Sequence, residues 1–305
     1  MFVVDKSERF IPREPHPQFR FQIASLRPVE HATLFLRLAG WRGYAKFSLK
    51  NTTGFEYIPA DSGTVALSGR VDYCVAVDDG RKTLTFPGAI KGTPDAWDFS
   101  PENLWHTTLV ELDQDIVLFD ATRDRGDLVF PHFSRWSRYA ATGKGGENSG
   151  ELALAIDVTF SGQNAEPFGV QMNIARLVKS VHENVARGKR LVIKGRAGKD
   201  SSTTLGINLL TKRGMNFGTD FELPGRWGTV EIPLSSLKPQ DALILPESYP
   251  LFLPKRWSGV HAAPDAEIHP GDVESLQLIV RPLKSAQHGG VQEGGFEIIS
   301  VVLSQ

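Results

Sequence analysis

From Phe19 to about Pro87 apolar residues recur at every second position: Phe19, Phe21 and Ile23; Leu34, Leu36 and Leu38; Tyr44 to Leu49; Val71, Tyr73, Val75 and Val77; Thr83 to Phe86. A period of two suits antiparallel strands with one face on a core and the other in water. Turn chemistry separates the runs at Gly40-Trp41-Arg42-Gly43, Ala60-Asp61-Ser62-Gly63 and Asp78-Asp79-Gly80, the last a hairpin signal. Together they predict a β-sandwich of immunoglobulin size over residues 1–105. Between Pro87 and Asn103 the alternation lapses into Gly, Pro and Trp, which predicts a linker or a packed joint, with a boundary near residue 105.

From Val110 onward alternation resumes at Ile116 to Phe119, Leu128 to Phe130, Leu152 to Phe160, Phe168 to Ile174, Leu191 to Arg196, Leu205 to Leu210, Phe217 to Leu223, Gly228 to Pro233, Val273 to Val280 and Gly295 to Leu303. Eight or more strands over residues 106–305 fit a jelly roll. One stretch breaks the rule, since Leu177, Val178, Val181 and Val185 recur at helical spacing between charged residues and end at Gly188. A short surface helix is expected over Ala175 to Arg190. The proline-punctuated, aromatic stretch from Lys238 to Trp257 is too apolar for disorder and predicts an ordered loop.

Composition narrows the partners. Of 305 residues 41% are apolar and 23% charged, with a formal net charge of -1, which leaves no field to draw nucleic acid or anionic lipid. The 29 glycines and 19 prolines mark a chain that turns often, and argue against a helix bundle. Cys74 is the sole cysteine, in an apolar strand, and reads as a buried small hydrophobe. No stretch approaches membrane-spanning length, and the opening Met1-Phe2-Val3-Val4-Asp5-Lys6 has neither the charged start nor the apolar run of a signal peptide. A piece of a longer, extracellular or periplasmic protein is expected.

Catalytic motifs largely fail. Gly195-Arg196-Ala197-Gly198-Lys199-Asp200 misplaces the first glycine of a phosphate loop and puts Asp200 where a magnesium-binding hydroxyl belongs. His182-Glu183-Asn184-Val185-Ala186 lacks a second histidine for zinc. Glu111, Asp113 and Asp115 alternate as carboxylates on one strand face would, and read as a solvated edge or joint. The run from Phe130 to Tyr139, with His132, Phe133, Arg135, Trp136 and Arg138, mixes aromatic faces with hydrogen-bond donors as a sugar site does. Phe130, Phe133 and Trp136 serve equally as core anchors, so both readings stand.

In the second half, each strand with an apolar face leaves amides or guanidinium groups on the other. Phe168, Val170, Met172 and Ile174 leave Gln171 and Asn173; Leu205, Ile207 and Leu209 leave Asn208; Leu276, Leu278 and Val280 leave Gln277 and Arg281; Leu152, Leu154 and Ile156 leave Asp157. If these strands are neighbours, they form one concave hydrogen-bonding surface suited to hydroxyl-rich ligands; the alternative is an ordinary wet sheet face.

Three segments then carry a resemblance: Lys189 to Arg196; Gly225-Arg226-Trp227 through Pro233-Leu234-Ser235-Ser236-Leu237; and the final Gly294-Gly295-Phe296 to Leu303. Over about residues 110 to 305 the chain resembles the galactose-binding-like jelly rolls that serve glycoside hydrolases as carbohydrate-binding modules. The first half, with Val71 to Gly80 and Thr85-Phe86-Pro87, resembles the immunoglobulin or fibronectin-type spacers that precede them in secreted bacterial enzymes. The resemblance implies that Trp227 is structural, and that a structural calcium sits near an early loop and the last strand, with Asp120, Asp124, Asp127 and Glu297 as its acids. No cofactor is required. The helical insert and the proline-rich loop are longer than compact modules carry; Trp257 is a second candidate platform.

The expected function is non-catalytic binding of a polysaccharide or oligosaccharide in support of an attached glycoside hydrolase domain. The candidate ligand residues are Trp136, Tyr139, Arg135, His132, Asn173, Arg176, Asn208, Arg281 and Trp257. The alternatives are a catalytic jelly-roll lyase or hydrolase using His132, Tyr139 and Arg135, and a purely structural pair of accessory domains.

Overall fold

The computed structural model describes residues 1–13, 18–60, 68–95, 104–130, 137–161, 167–198, 204–244, 255–257, 266–282 and 291–305. Strands dominate throughout and the helices are short. Among the described residues no helix is long and apolar enough to cross a membrane. The chain divides into two compact units, Met1–Gln114 and Asp115–Gln305.

The first unit holds β1 (Phe2–Asp5), β2 (Phe10–Pro12), β3 (Phe21–Ala24), β4 (His31–Leu38) and β5 (Ala45–Thr53), then β6 (Glu56–Pro59), β7 (Gly69–Asp78), β8 (Thr83–Phe86), β9 (Ile90–Lys91) and β10 (Trp105–Val110). The strand at 105–110, just past the boundary read from the sequence, lies in this unit because β10 pairs with β7 on one side and with β2 on the other. Strand order is β1-β3-β6-β5-β4-β7-β10-β2. The first half of β5 pairs with β4 and the second half with β6, so one sheet turns over on itself and makes two layers.

Alternation explains the core between those layers. Phe21 and Ile23 of β3, Leu34 and Leu36 of β4, and Val71, Tyr73, Val75 and Val77 of β7 are all buried in one cluster. The Tyr73 ring is its hub, 5.1 Å from Phe19 and 6.0 Å from Trp105. Its hydroxyl donates to Asp5. The opposite face of β7 is covered as well, with Cys74 and Ala76 packed on Phe35 and Leu104.

The second unit begins with β11 (Ile116–Asp120), α1 (Ala121–Asp124), β12 (Leu128–Val129), β13 (Ser137–Gly145), β14 (Leu152–Ser161) and β15 (Phe168–Asn173). It continues through α2 (Ala175–Ser180), α3 (His182–Arg187), β16 (Arg190–Ala197), β17 (Thr204–Thr211), β18 (Asn216–Phe221) and β19 (Gly228–Pro233). It closes with β20 (Lys238–Pro239), β21 (Ala242–Ile244), β22 (Lys255–Trp257), β23 (Val273–Arg281) and β24 (Val291–Ser304). Two six-stranded antiparallel sheets result, β13-β14-β24-β16-β19 with β11 also on β24, and β12-β15-β23-β17-β18-β20, beside the small β21-β22 pair. Their buried faces carry Leu154, Ile156, Phe160, Phe296 and Ile298 on the first, and Phe168, Val170, Ile207, Leu278 and Val280 on the second. This is a jelly-roll sandwich, and the all-β expectation holds over the described residues.

Three local expectations change. The single helix over 175–190 is two, broken at Val181 (φ -122, ψ 41). Ser180 Oγ donates to the Leu177 carbonyl at 2.8 Å, the kind of side-chain bond that competes with the helical ladder. The break leaves Val178, Val181 and Val185 all buried. Next, the carboxylates at 111–115 do not share a strand: β10 ends at Val110, the chain turns at Gln114, and Glu111 pairs with Arg13 at 2.9 Å. Finally, the expected loop at 238–257 carries short strands at both ends, β21 pairing with β22, while residues 245–254 lie outside the described set.

Candidate functional site: an amide row on one sheet

The alternation that buries Phe168, Leu278 and Ile207 on one face of the second sheet turns their neighbours onto the other. Register lines those neighbours up. Gln171 of β15 lies opposite Gln277 of β23, Gln277 opposite Asn208 of β17, Asn208 opposite Gly218 of β18, and Gly218 opposite Lys238 of β20. With Val129 of β12 opposite Gln171, one row crosses the whole sheet. The next row holds Asn173, Ser275, Leu210 and Asn216, and the row on the other side Ile279, Gly206 and Asp220.

Within these rows the amides are chained. Gln277 Nε2 donates to Gln171 Oε1 at 2.7 Å, and Gln171 Nε2 donates to Ser275 Oγ at 3.0 Å. Asn216 Nδ2 donates to the Gln240 and Asp241 carbonyls at 3.0 and 3.4 Å. Asn208 is 0% exposed, yet neither its Nδ2 nor its Oδ1 has a partner, and Asn216 Oδ1 is likewise unpaired. Buried polar atoms are nearly always satisfied, so an amide in this state marks a place where a further polar group belongs. Gly218 makes the room: a Cβ there would fall 1.9 Å from Asn208 Oδ1.

Solved structures similar to this chain include carbohydrate-binding modules and agarases. No family model matches it, and no curated protein does. The family 11 module of the cellulosomal cellulase Lic26A-Cel5E of Clostridium thermocellum is 10% identical over 63% of this chain and 94% of its own, with a TM-score of 0.41. A family 30 carbohydrate-binding module is 12% identical over 63% of this chain and 99% of its own, with a TM-score of 0.32. An exo-β-agarase is 11% identical over 63% of this chain, which spans 25% of the agarase, with a TM-score of 0.35.

The ligand residues read from the sequence scatter. Asn208 sits at the centre of the row. Arg281, beyond the row of Gly206 and Asp220, is tied down: Nε donates to Asp220 Oδ1 at 2.7 Å and Nη2 to Gln240 Oε1 at 3.0 Å. Asn173 is exposed, and its Oδ1 accepts from the Ala175 amide at the entry to α2. Arg176 is exposed in the first turn of that helix. Asp157 belongs to β14 in the other sheet and pairs with Lys144 at 3.7 Å, so it does not join the amide row. Tyr139, 45% exposed, stacks on Phe130 at 5.0 Å and 15° and meets Phe168 at 4.7 Å, so one ring face packs inward. His132, Arg135 and Trp136 lie outside the described residues, as does the side chain of Trp257.

The acids suggested for calcium have other work. Asp120 caps α1, its Oδ1 accepting from Thr122 N at 2.8 Å, and the buried Asp124 accepts from Asp120 N at 2.7 Å. Asp127 is exposed. Glu297 lies between two cations, Arg196 at 2.6 Å and Lys144 at 3.5 Å, which disfavour a further cation there. Among the described residues no group of three or more His, Cys, Asp and Glu stands close enough to hold a metal ion. These side chains do not fit the calcium expectation.

Sequence reasoning missed Gly218, Asn216, Ser275, Asp220 and Gln240. A signal was present for the first: glycine inside a strand marks close approach by another group, and Gly206 and Gly218 both sit mid-strand.

Proposed function

We propose that the second unit binds carbohydrate without transforming it, on the sheet face that carries Gln171, Gln277 and Asn208. The observation that supports this most is the unpaired Asn208 amide beside the neutral amides of Gln277 and Gln171, because polyhydroxylated ligands are held by such donor and acceptor pairs. On this reading the first unit is an immunoglobulin-like spacer, and the whole supports a glycoside hydrolase acting on extracellular polysaccharide.

A second reading has its own observation. Gln277 is 2% exposed and Asn208 0%, so the centre of the face is covered in this state, as it is in domains whose role is architectural. One experiment separates the two. A glycan array and affinity electrophoresis on the intact chain, with reducing ends and unsaturated uronates assayed in the same wells, should show retention without product. Product release replaces binding by catalysis, and silence in both assays leaves architecture.

A further inference from the structure

The unmet hydrogen bonds on this face have a definite chemistry. Asn208 Nδ2 offers N–H donors and Asn208 Oδ1 an acceptor, and because both are unpaired, exchanging the two atoms changes nothing. Asn216 is oriented by its two bonds to backbone carbonyls, which only an N–H can make, so its free atom is the acceptor oxygen. Asn208 and Asn216 are diagonal neighbours on one face, since Asn208 lies opposite Gly218 and Leu210 opposite Asn216. The demand is for donors to two oxygens and an acceptor for one amide.

A hydroxyl meets both demands at once. A carboxylate or sulfate only accepts, and would set its lone pairs against Asn208 Oδ1 and Asn216 Oδ1. Arg281, on the same sheet face, gives such an anion no compensation, because it is already engaged by Asp220 and Gln240. Lys238 ends the row as an exposed, solvated ammonium on the edge strand.

Resting on the carbohydrate reading above, we infer that the glycan bound here is neutral, that it places a hydroxyl or hydroxymethyl oxygen against Asn208 and Asn216, and that uronic and sulfated polysaccharides are rejected. Asn208 is then the residue that selects the class of ligand.

The test uses the intact chain in affinity electrophoresis against neutral mixed-linkage β-glucan and agarose, and against polygalacturonate, alginate and sulfated carrageenan. A neutral polymer should retard the protein and the three anionic ones should not. Asn208→Asp, which replaces donors by an acceptor, should weaken neutral binding on the order of tenfold, the scale of one lost hydrogen bond. Should that variant misfold, the side-chain amide signals of Asn208 in the parent protein, followed by NMR as neutral oligosaccharide is added, carry the same information and should move. Retention by an anionic polymer that depends on Asn208 overturns the class while leaving carbohydrate binding intact. Neutral binding with the Asn208 signals unmoved overturns the seat and assigns it to ordered water alone. If no polymer of either class binds, the carbohydrate reading itself fails and this inference with it.

Discussion

Arg196 and Glu297 face each other across β16 and β24, with Nε and Nη2 of the guanidinium 2.8 and 2.6 Å from one carboxylate oxygen. The guanidinium also lies 4.4 Å from the ring of Trp227, so the half-buried indole, the arginine and the buried acid form one packed unit. Removing Arg196 leaves the buried Glu297 to Lys144 at 3.5 Å, a longer and weaker pairing. Arg196→Ala is expected to lower the stability of the second unit by about 2 kcal/mol, less than for a fully enclosed pair because Arg196 is partly solvated. Urea titration followed by Trp fluorescence checks it. Arg196→Lys should recover part of the loss, since an ammonium keeps the charge and forfeits the planar fork.

Tyr73 and Cys74 are adjacent on β7, one in each core. Burial, and then the Asp5 carboxylate, push the Tyr73 phenol far above its ordinary 10.0. Burial likewise pushes the Cys74 thiol up from 9.0 to about 12. Groups raised in the folded state keep their protons while the unfolded chain loses them, so stability is intact below the unfolded values and falls as pH rises past them. The urea midpoint of the first unit should hold steady at neutral pH and begin to fall near pH 9.0. Cys74→Ala should delay that onset toward the phenol's 10.0, and an unchanged pH profile would contradict the assignment.

The same burial controls reactivity, because the thiolate is the nucleophile. Ellman's reagent at pH 8 should leave Cys74 untouched in the native protein and titrate it fully in denaturant. Labelling at the rate of a free thiol without denaturant would show that the cover formed by Phe35 and Leu104 opens readily.

Gly295 shows where backbone packing leaves no slack. A Cβ there would lie 2.2 Å from the Ile156 carbonyl oxygen and 3.2 Å from Asp157 Cα, both backbone atoms of the paired strand β14. Gly295→Ala should destabilise the second unit by about 2 to 3 kcal/mol, in line with overpacking of a tight site. Gly150→Ala, with open space around it but φ +87, tests the other cause of glycine dependence and should cost about 1 kcal/mol. Thermal melts of the two variants separate the effects.

Asp220 governs what Arg281 can do. With the carboxylate at 2.7 Å the guanidinium is neutralised. Asp220→Asn should release the positive charge, and the variant should acquire weak, salt-sensitive retention on polygalacturonate that the parent lacks. Equal retention of parent and variant would show that Arg281 is not held in check by this pair.

How much of this could be read from the chain depends on which interaction makes each feature. Period-two alternation placed Phe21, Leu34, Val71, Phe168, Ile207 and Leu278 inward, because a strand's two faces are decided residue by residue. The same rule put Gln171, Asn208 and Gln277 on a common face. Their meeting in one row is a matter of register and strand order, which neighbours in space decide and alternation does not. Asp157 went astray for that reason, since its strand joined the other sheet. Arg281 has the chemistry of a ligand-binding residue, and nothing local to it announces Asp220 and Gln240 as partners. The helix break at Val181 is accompanied by the Ser180 hydroxyl bonding the Leu177 carbonyl, a contact that hydrophobic spacing does not register.

β24 is the keystone of its sheet: Leu154 of β14 pairs with Ile298 on one edge, while Leu191 of β16 pairs with Leu303 on the other. Before β24 has been synthesised, β13 with β14 and β16 with β19 can exist only as separate ribbons, each with an unpaired edge toward the gap. Vectorial synthesis therefore leaves two sticky borders open until β24 emerges and joins the halves.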